Sequence, residues 1–186
     1  MRDPFKDLKE LLNSDDEKDE SLEEMLLKYG VDLNQLEQEM LSKTDLEYTS
    51  DTGKELSYAY PTDSGFDLYA SEEVHLPPLG RALVPTGIRI NIPEGYEIQV
   101  RSKSGLAINK GLMVLNSPGT VDQGYTGEIK VIIFNASDLA QTIEKGSKVA
   151  QAVLSSCISG KYINLLKVDN IKSKDRNEKG FGSTGL

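Results

Sequence analysis

Cysteine is nearly absent: Cys157 stands alone in 186 residues, so no disulfide can form within the chain. It has no Cys or His partner at metal-ligand spacing either, which leaves a zinc site unsupported and a small buried hydrophobe as the reading. No run of about 18 apolar residues occurs, so no membrane-spanning helix is expected. Met1, Arg2, Asp3, Pro4, Phe5, Lys6 and Asp7 are too polar for a secretory signal. The expectation is a soluble cytoplasmic protein with no membrane partner. A basic surface is also missing. Residues 1–48 carry 15 Asp plus Glu against 6 Lys plus Arg, net −9, and the remainder is balanced at 15 of each. That balance disfavours binding to a nucleic-acid polymer; a neutral body could handle a smaller polyanion only with a few placed cations and a metal. No internal repeat is found.

The 38% of hydrophobic residues suffices for the core of one ordinary domain with an appendage. Residues 5 to 42 read as short helices. Phe5, Leu8, Leu11 and Leu12 share a helical face, Ser21 and Glu24 form a capping box before Met25, and Leu33, Leu36 and Met40 repeat the pattern. Asp15 to Glu20 between them reads as a solvated linker. Isolated helices of this length are marginal in water, so the apolar stripes must pack on the body, on each other or on a partner protein. From about residue 56 the texture turns to short β-rich runs. Arg81 to Ile92 alternates through Leu83, Thr86, Ile88 and Ile90, Tyr96 to Val100 alternates, and Ile129 to Phe134 suits a strand buried on both faces. Gly and Pro turn signals at intervals of about ten residues argue for an all-β sandwich, barrel or jelly roll without a helix of useful length.

Four polar clusters punctuate this region. Asp63 to Leu68 is a glycine turn leading into a strand, with Asp67 among apolar neighbours; an Asx-type turn explains it as well as a metal site does. Arg101, Ser102, Lys103, Ser104 and Gly105 alternate cations with hydroxyls, which suits a phosphate cradle or a solvated strand end. Asn116 to Glu128 is a glycine-bounded hairpin, and a hairpin needs its glycines but has no need of Asn116, Asp122 or Tyr125. Lys145 to Gln151 is by itself a turn into a strand. The tail adds Gly180, Phe181, Gly182, Ser183, Thr184 and Gly185 after Arg176: a stacking face, hydroxyls and a bidentate cation on a backbone costly to order. Either an arm that closes on a ligand or a frayed terminus fits that composition.

Taken in order, these five clusters resemble the five motifs of the trimeric dUTP diphosphatases (dUTPases), over roughly residues 56 to 186. The resemblance implies an all-β distorted jelly roll (the β-clip, dUTPase-like fold) behind a short acidic helical extension. The expected divisions are 1–50 for the extension, 51–172 for the β-domain and 173–186 for a glycine-rich lid. It further implies Mg²⁺-dependent hydrolysis of dUTP to dUMP and pyrophosphate by a homotrimer whose C-terminal arm reaches a neighbouring subunit. By the same resemblance Asp122 deprotonates the water that attacks the α-phosphorus. Asn116 and the main chain of Gly119, Thr120 and Val121 hold uracil, and Tyr125 packs on the deoxyribose and leaves no room for a 2′-hydroxyl. Arg101, Lys103, Ser104, Gly105 and Gln151 serve the phosphates, and Asp67 stands near the metal and acts through water. Arg176, Gly182, Ser183 and Thr184 close on the β- and γ-phosphates, with Phe181 over the base.

Two departures qualify the match. Lys103 stands before Ser104 where the family usually has arginine, and lysine, a point charge, cannot make the bidentate contact. Asn177 and Lys179 replace glycines common in the tail. The nearest enzymatic rival, dCTP deaminase, needs a glutamate where this chain has Ile132 and a second serine where it has Gly105; an apolar side chain cannot shuttle a proton. A rival of another class is a regulatory protein that binds a partner through the N-terminal helices, in addition to catalysis. His75 reads as a surface histidine.

Overall fold

The structure is a computed structural model that describes residues 44–174. The expected helices of residues 5–42 and the tail residues Arg176, Phe181, Gly182, Ser183 and Thr184 lie outside the described residues. Eleven strands run through the described part: β1 (Glu47–Ser50), β2 (Phe66–Tyr69), β3 (Val74–Leu76), β4 (Arg81–Pro85), β5 (Ile88–Asn91), β6 (Tyr96–Arg101), β7 (Leu112–Val114), β8 (Gly119–Val121), β9 (Lys130–Asn135), β10 (Gln141–Ile143) and β11 (Lys148–Ser156). They form a four-stranded sheet in the order β2-β11-β6-β8, a three-stranded sheet β4-β9-β7 and two strand pairs, β1-β5 and β10-β3. Every pairing is antiparallel. This is an all-β architecture of short strands closing on one core, a distorted jelly roll.

The core follows from alternation. Side chains two apart share a sheet face, so Phe66 and Leu68 of β2, Ile98 and Val100 of β6, and Ala150 and Ala152 of β11 point inward together. They meet Val84, Leu112, Val114, Val131 and Ile133 of the three-stranded sheet, and all belong to one continuous buried cluster. The residues between them, Asp67, Gln99, Arg101 and Gln151, are thereby turned to the other face. This is the step by which an apolar repeat in the sequence places polar groups on one surface.

Several expectations are corrected. The run Ile129 to Phe134 is buried on one face only: Ile129, Val131 and Ile133 are buried, Lys130 is exposed, and Ile132 and Phe134 are half-buried. Arg81 to Ile92 is two strands, broken at Thr86 and Gly87, where Gly87 takes φ 69°. The inward positions keep one phase through both strands, Val84, Thr86, Ile88, Ile90 and Ile92, so Leu83 lies on the outward phase and is 55% exposed. Cys157 is half-exposed, past the end of β11, where the core no longer covers it. β1 falls within residues 1–50, expected to be helical, because Tyr48 and Thr49 suit a strand and register with Ile90 and Arg89 of β5. A helix, α1 (Ser104–Lys110), was not expected; it buries no residue, so it carries no apolar stripe to read. Its stop is local: Gly111 at φ 64° donates its N–H to the carbonyls of Ala107 and Leu106.

Candidate functional site

The register brings three of the expected residues into one row. Asp67 of β2 lies opposite Gln151 of β11, and Gln151 lies opposite Arg101 of β6, so the three side chains share the outer face of the four-stranded sheet. Gly65 makes room for this row: a Cβ there would stand 2.8 Å from the Ala152 carbonyl oxygen and 3.3 Å from Gln151 Oε1. Gln151 donates to the Ser102 carbonyl at 3.3 Å. Ser102 Oγ accepts the Val114 N–H at 2.9 Å, tying the segment before α1 to the other sheet. Arg101 donates Nε and Nη2 to Gln99 Oε1 at 3.2 and 2.6 Å.

Asp67 is the centre of charge in this row. Lys103 donates to its Oδ1 and Lys148 to its Oδ2, the second at 2.6 Å. Burial raises the Asp67 carboxyl, but the hydrogen bonds and charges of the two lysines outweigh it and hold the group below its ordinary value. Lys148 in turn is held above the usual lysine range by Asp67, with Tyr69 adding to it. Lys148 is the residue that sequence reasoning passed over; an isolated turn into a strand gives no signal that its second lysine meets a carboxylate on β2. Ser104 and Gly105 open α1 and are exposed. A Cβ at Gly105 would meet nothing within 4 Å, so nothing else among the described residues requires glycine there.

The hairpin group lies elsewhere. β8 pairs only with β6, so it is an edge strand and one side of its main chain is open to a ligand. Asn116 folds over Gly119, its Nδ2 standing 3.1 Å from where a Cβ would be. Beyond β8, the Asp122 carbonyl accepts the Tyr125 N–H at 2.9 Å, and Tyr125 Oη donates to the Glu128 carbonyl at 2.8 Å. The Tyr125 ring lies over Gly127, where a Cβ would come within 2.6 Å of Cζ and Oη. Glu128 holds the base of the hairpin: its Oε1 accepts the Gly87 N–H at 2.8 Å, and Lys130 pairs with its Oε2 at 3.4 Å. Asp122 and Tyr125 line a cavity of about 350 Å³ with Thr120, Val121, Leu83 and Ile132.

The two groups do not converge within one chain. Val121 pairs with Ile98, so Asp122 is level with Glu97, four residues along β6 from Arg101. At strand rise that is a separation of about 13 Å along the sheet. None of the Asp67 row lines the cavity at Asp122. His75 is exposed, between Thr142 Oγ1 at 2.9 Å and Glu73 at 3.2 Å, apart from both groups.

The fit of a divalent ion can be judged from the donors. Among the described residues no three of His, Cys, Asp and Glu come together to hold a metal. Both Asp67 oxygens accept from ammonium groups. Mg²⁺ characteristically keeps several waters and binds through few carboxylates together with substrate phosphates, so this donor set fits an ion carried on a polyphosphate.

Comparison with known proteins gives a consistent answer. The family model described as dUTPase matches residues 51–185. The chain is 47% identical over 135 residues to deoxyuridine 5'-triphosphate nucleotidohydrolase of Hydrogenobaculum sp. (strain Y04AAS1), covering 69% of this chain and 88% of the relative. It is 44% identical over 148 residues to the nucleotidohydrolase of the same name from Fusobacterium nucleatum, covering 78% and 99%. Among solved structures, a mutant dUTPase of Staphylococcus bacteriophage 80alpha with dUpNHpp superposes with a TM-score of 0.69 at 26% identity, covering 77% of this chain and all of that one. A mutant dUTPase of phage phi11 of S. aureus, described as coordinating a structural Mg(II) ion, shares the fold with a TM-score of 0.61 at 24% identity, covering 68% of this chain and 98% of that one.

Proposed function

The chain belongs to the dUTPase family, and on that premise we propose how its residues carry the reaction. The protein is a dUTP diphosphatase: it hydrolyses dUTP to dUMP and pyrophosphate, keeping uracil out of DNA and supplying dUMP for dTMP synthesis. The observation that carries the residue assignment is the pinned Tyr125 ring. With its hydroxyl committed to the Glu128 carbonyl, it presents a flat apolar face in the same cavity as Asp122. A deoxyribose stacked on that face has no space for a 2′-hydroxyl. Uracil pairs with the open edge of β8 at Gly119, Thr120 and Val121 and with the Asn116 amide. Asp122, whose carboxylate accepts no hydrogen bond among the described residues, takes a proton from the water that attacks the α-phosphorus.

The phosphates lie at the cationic row, with Arg101, Lys103, Ser104, Gly105 and Gln151. An Mg²⁺ ion carried on the triphosphate would neutralise part of its charge beside these side chains. Lys103 and Lys148, one on each oxygen of Asp67, repel a cation, so Asp67 would act on that ion only indirectly. Arg176, Phe181, Gly182, Ser183 and Thr184 form the lid, which excludes water and completes the site.

Since Asp122 and the Asp67 row stand about 13 Å apart along the sheet, one nucleotide is served by the hairpin of one copy and the row of another. A homotrimer with the arm of a neighbour over each site meets that need. A second feature supports it: Leu165, Leu166, Val168 and Ile171, which lead into the arm, are 93%, 81%, 55% and 84% exposed and call for an apolar partner. We divide the chain into an extension ahead of β1, a β-domain that includes β1 and runs to 172, and a lid from 173. Residues 1–50, which lie ahead of the family match, are read as a contact surface for a further protein, tested by a pull-down that depends on them. We assign the enzyme to the cytoplasm; no described helix is long and apolar enough to cross a membrane.

The test is pyrophosphate release from dUTP, with and without Mg²⁺, beside dCTP, dTTP and UTP. Mg²⁺-dependent release from dUTP alone, reduced about 10²- to 10⁴-fold by Asp122→Asn, is expected. An undiminished rate in that variant would remove Asp122 as the base.

A further inference from the structure

Lysine at position 103 raises a physical problem. Its four-carbon stem carries about 2 kcal/mol of rotamer entropy, and an ammonium has no planar fork with which to register on a phosphate. A loose lysine would lose that freedom on binding substrate. Here the freedom is already removed: Lys103 is bound to Asp67 Oδ1, with its side chain only 27% exposed, and Asp67 is 13% exposed. A carboxylate alone beside the phosphates would repel them, yet its second oxygen accepts from Lys148 at 2.6 Å, and Lys148 remains 50% exposed. Two ammonium groups around one carboxylate leave a net positive charge, and each retains N–H donors that Asp67 does not use. Tyr69, opposite Lys148 in the register, carries Lys54 over its ring at 3.5 Å, so a third cation borders the pair.

We infer that Lys148 is a positioning residue for the triphosphate end of the substrate, and that Asp67 acts through the two lysines it holds. Lys148 takes one carboxylate oxygen and cancels its charge toward the phosphates, and the other oxygen anchors Lys103 as the phosphate ligand. Pre-anchoring supplies the order that an arginine fork would have provided. This rests on the dUTP reading above, and it differs from a role for Asp67 in holding the metal's water.

Calorimetric binding of dUpNHpp and of dUMP, each in EDTA and in Mg²⁺, separates the possibilities. Lys148→Gln and Asp67→Asn are each expected to weaken dUpNHpp about tenfold in EDTA, the size of one charge-assisted contact, while dUMP binding stays within about twofold. The factor by which Mg²⁺ tightens dUpNHpp stays as in the wild type, and Lys148→Arg restores affinity. Asp67→Asn that keeps its EDTA affinity but loses the Mg²⁺ factor would overturn the inference, because Asp67 would then act on the ion. Lys148→Gln that weakens both ligands alike, or neither, would overturn it too, reducing the lysine to a structural ion pair. Tripolyphosphate without a base is the further probe: a wild type that binds it but neither nucleotide would sink the dUTP reading, and its loss in Lys148→Gln would still support the lysine bracket.

Discussion

Asp67 shows how one residue ties stability to pH. Its folded-state carboxyl lies below the ordinary value of 3.8, so the folded state binds the proton less readily than the unfolded chain. The stability this contributes is present above about 3.8 and is lost as pH falls through the lower folded value. Asp67→Asn is therefore expected to be less stable than the wild type at pH 7, where two ammonium groups lose their shared partner. Urea denaturation should find the gap narrowing below pH 4; a constant gap would assign the loss to packing. At Gly127 a residue prediction concerns specificity. Gly127→Ala places a Cβ within 2.6 Å of the Tyr125 ring end, so the ring must leave the Glu128 carbonyl and stability should fall by about 1 kcal/mol, the size of one hydrogen bond. The displaced ring no longer blocks a 2′-hydroxyl, and the preference for dUTP over UTP in kcat/KM is expected to fall.

At the scale of elements, β9 ends on a buried amide that fastens the turns around it. Asn135 is fully buried; its Nδ2 donates to the carbonyls of Pro77 at 3.0 Å and Leu139 at 2.7 Å, and its Oδ1 accepts the Ser137 N–H at 3.0 Å and hydroxyl at 2.7 Å. Asn135→Ala leaves these groups without partners and should cost about 3 kcal/mol in urea denaturation. A loss under 1 kcal/mol would mean that water replaces the amide. The elements also show where sequence patterning reads well. β6 alternates as expected because a half-buried strand needs only period two, whereas β4 and β5 keep one phase from Val84 to Ile92, so alternation gives no sign of the break at Thr86 and Gly87. α1 left no apolar stripe because it packs the core through Leu106 and buries no residue fully.

For the whole molecule the central matter is the separation of the two halves of the site. If Asp122 and Lys103 serve one nucleotide from different copies, mixing Asp122→Asn with Lys103→Met subunits, each inactive alone, should restore activity. Random reassortment of the two in a closed oligomer leaves about a quarter of the sites with both native residues. No recovery after verified exchange would put both groups in one chain. Replacing Leu165 and Leu166 together by serine is expected to weaken assembly, read as a shift to smaller species by light scattering, since their exposed apolar area would no longer be covered by a neighbour.

Family, β class and the residue types that gather at turns were legible along the chain, because glycine turns, alternation and polar clusters are local and ordered in sequence. The reading of the hairpin with Asp122 and Tyr125 was local in the same way. Strand pairing was needed to put Asp67, Gln151 and Arg101 in one row, to join Lys148 to Lys103 on Asp67, to turn Leu83 outward and to set the hairpin apart from the cations. Those facts depend on register between strands distant in sequence, and a shift of one residue in register would turn each of these side chains to the opposite face.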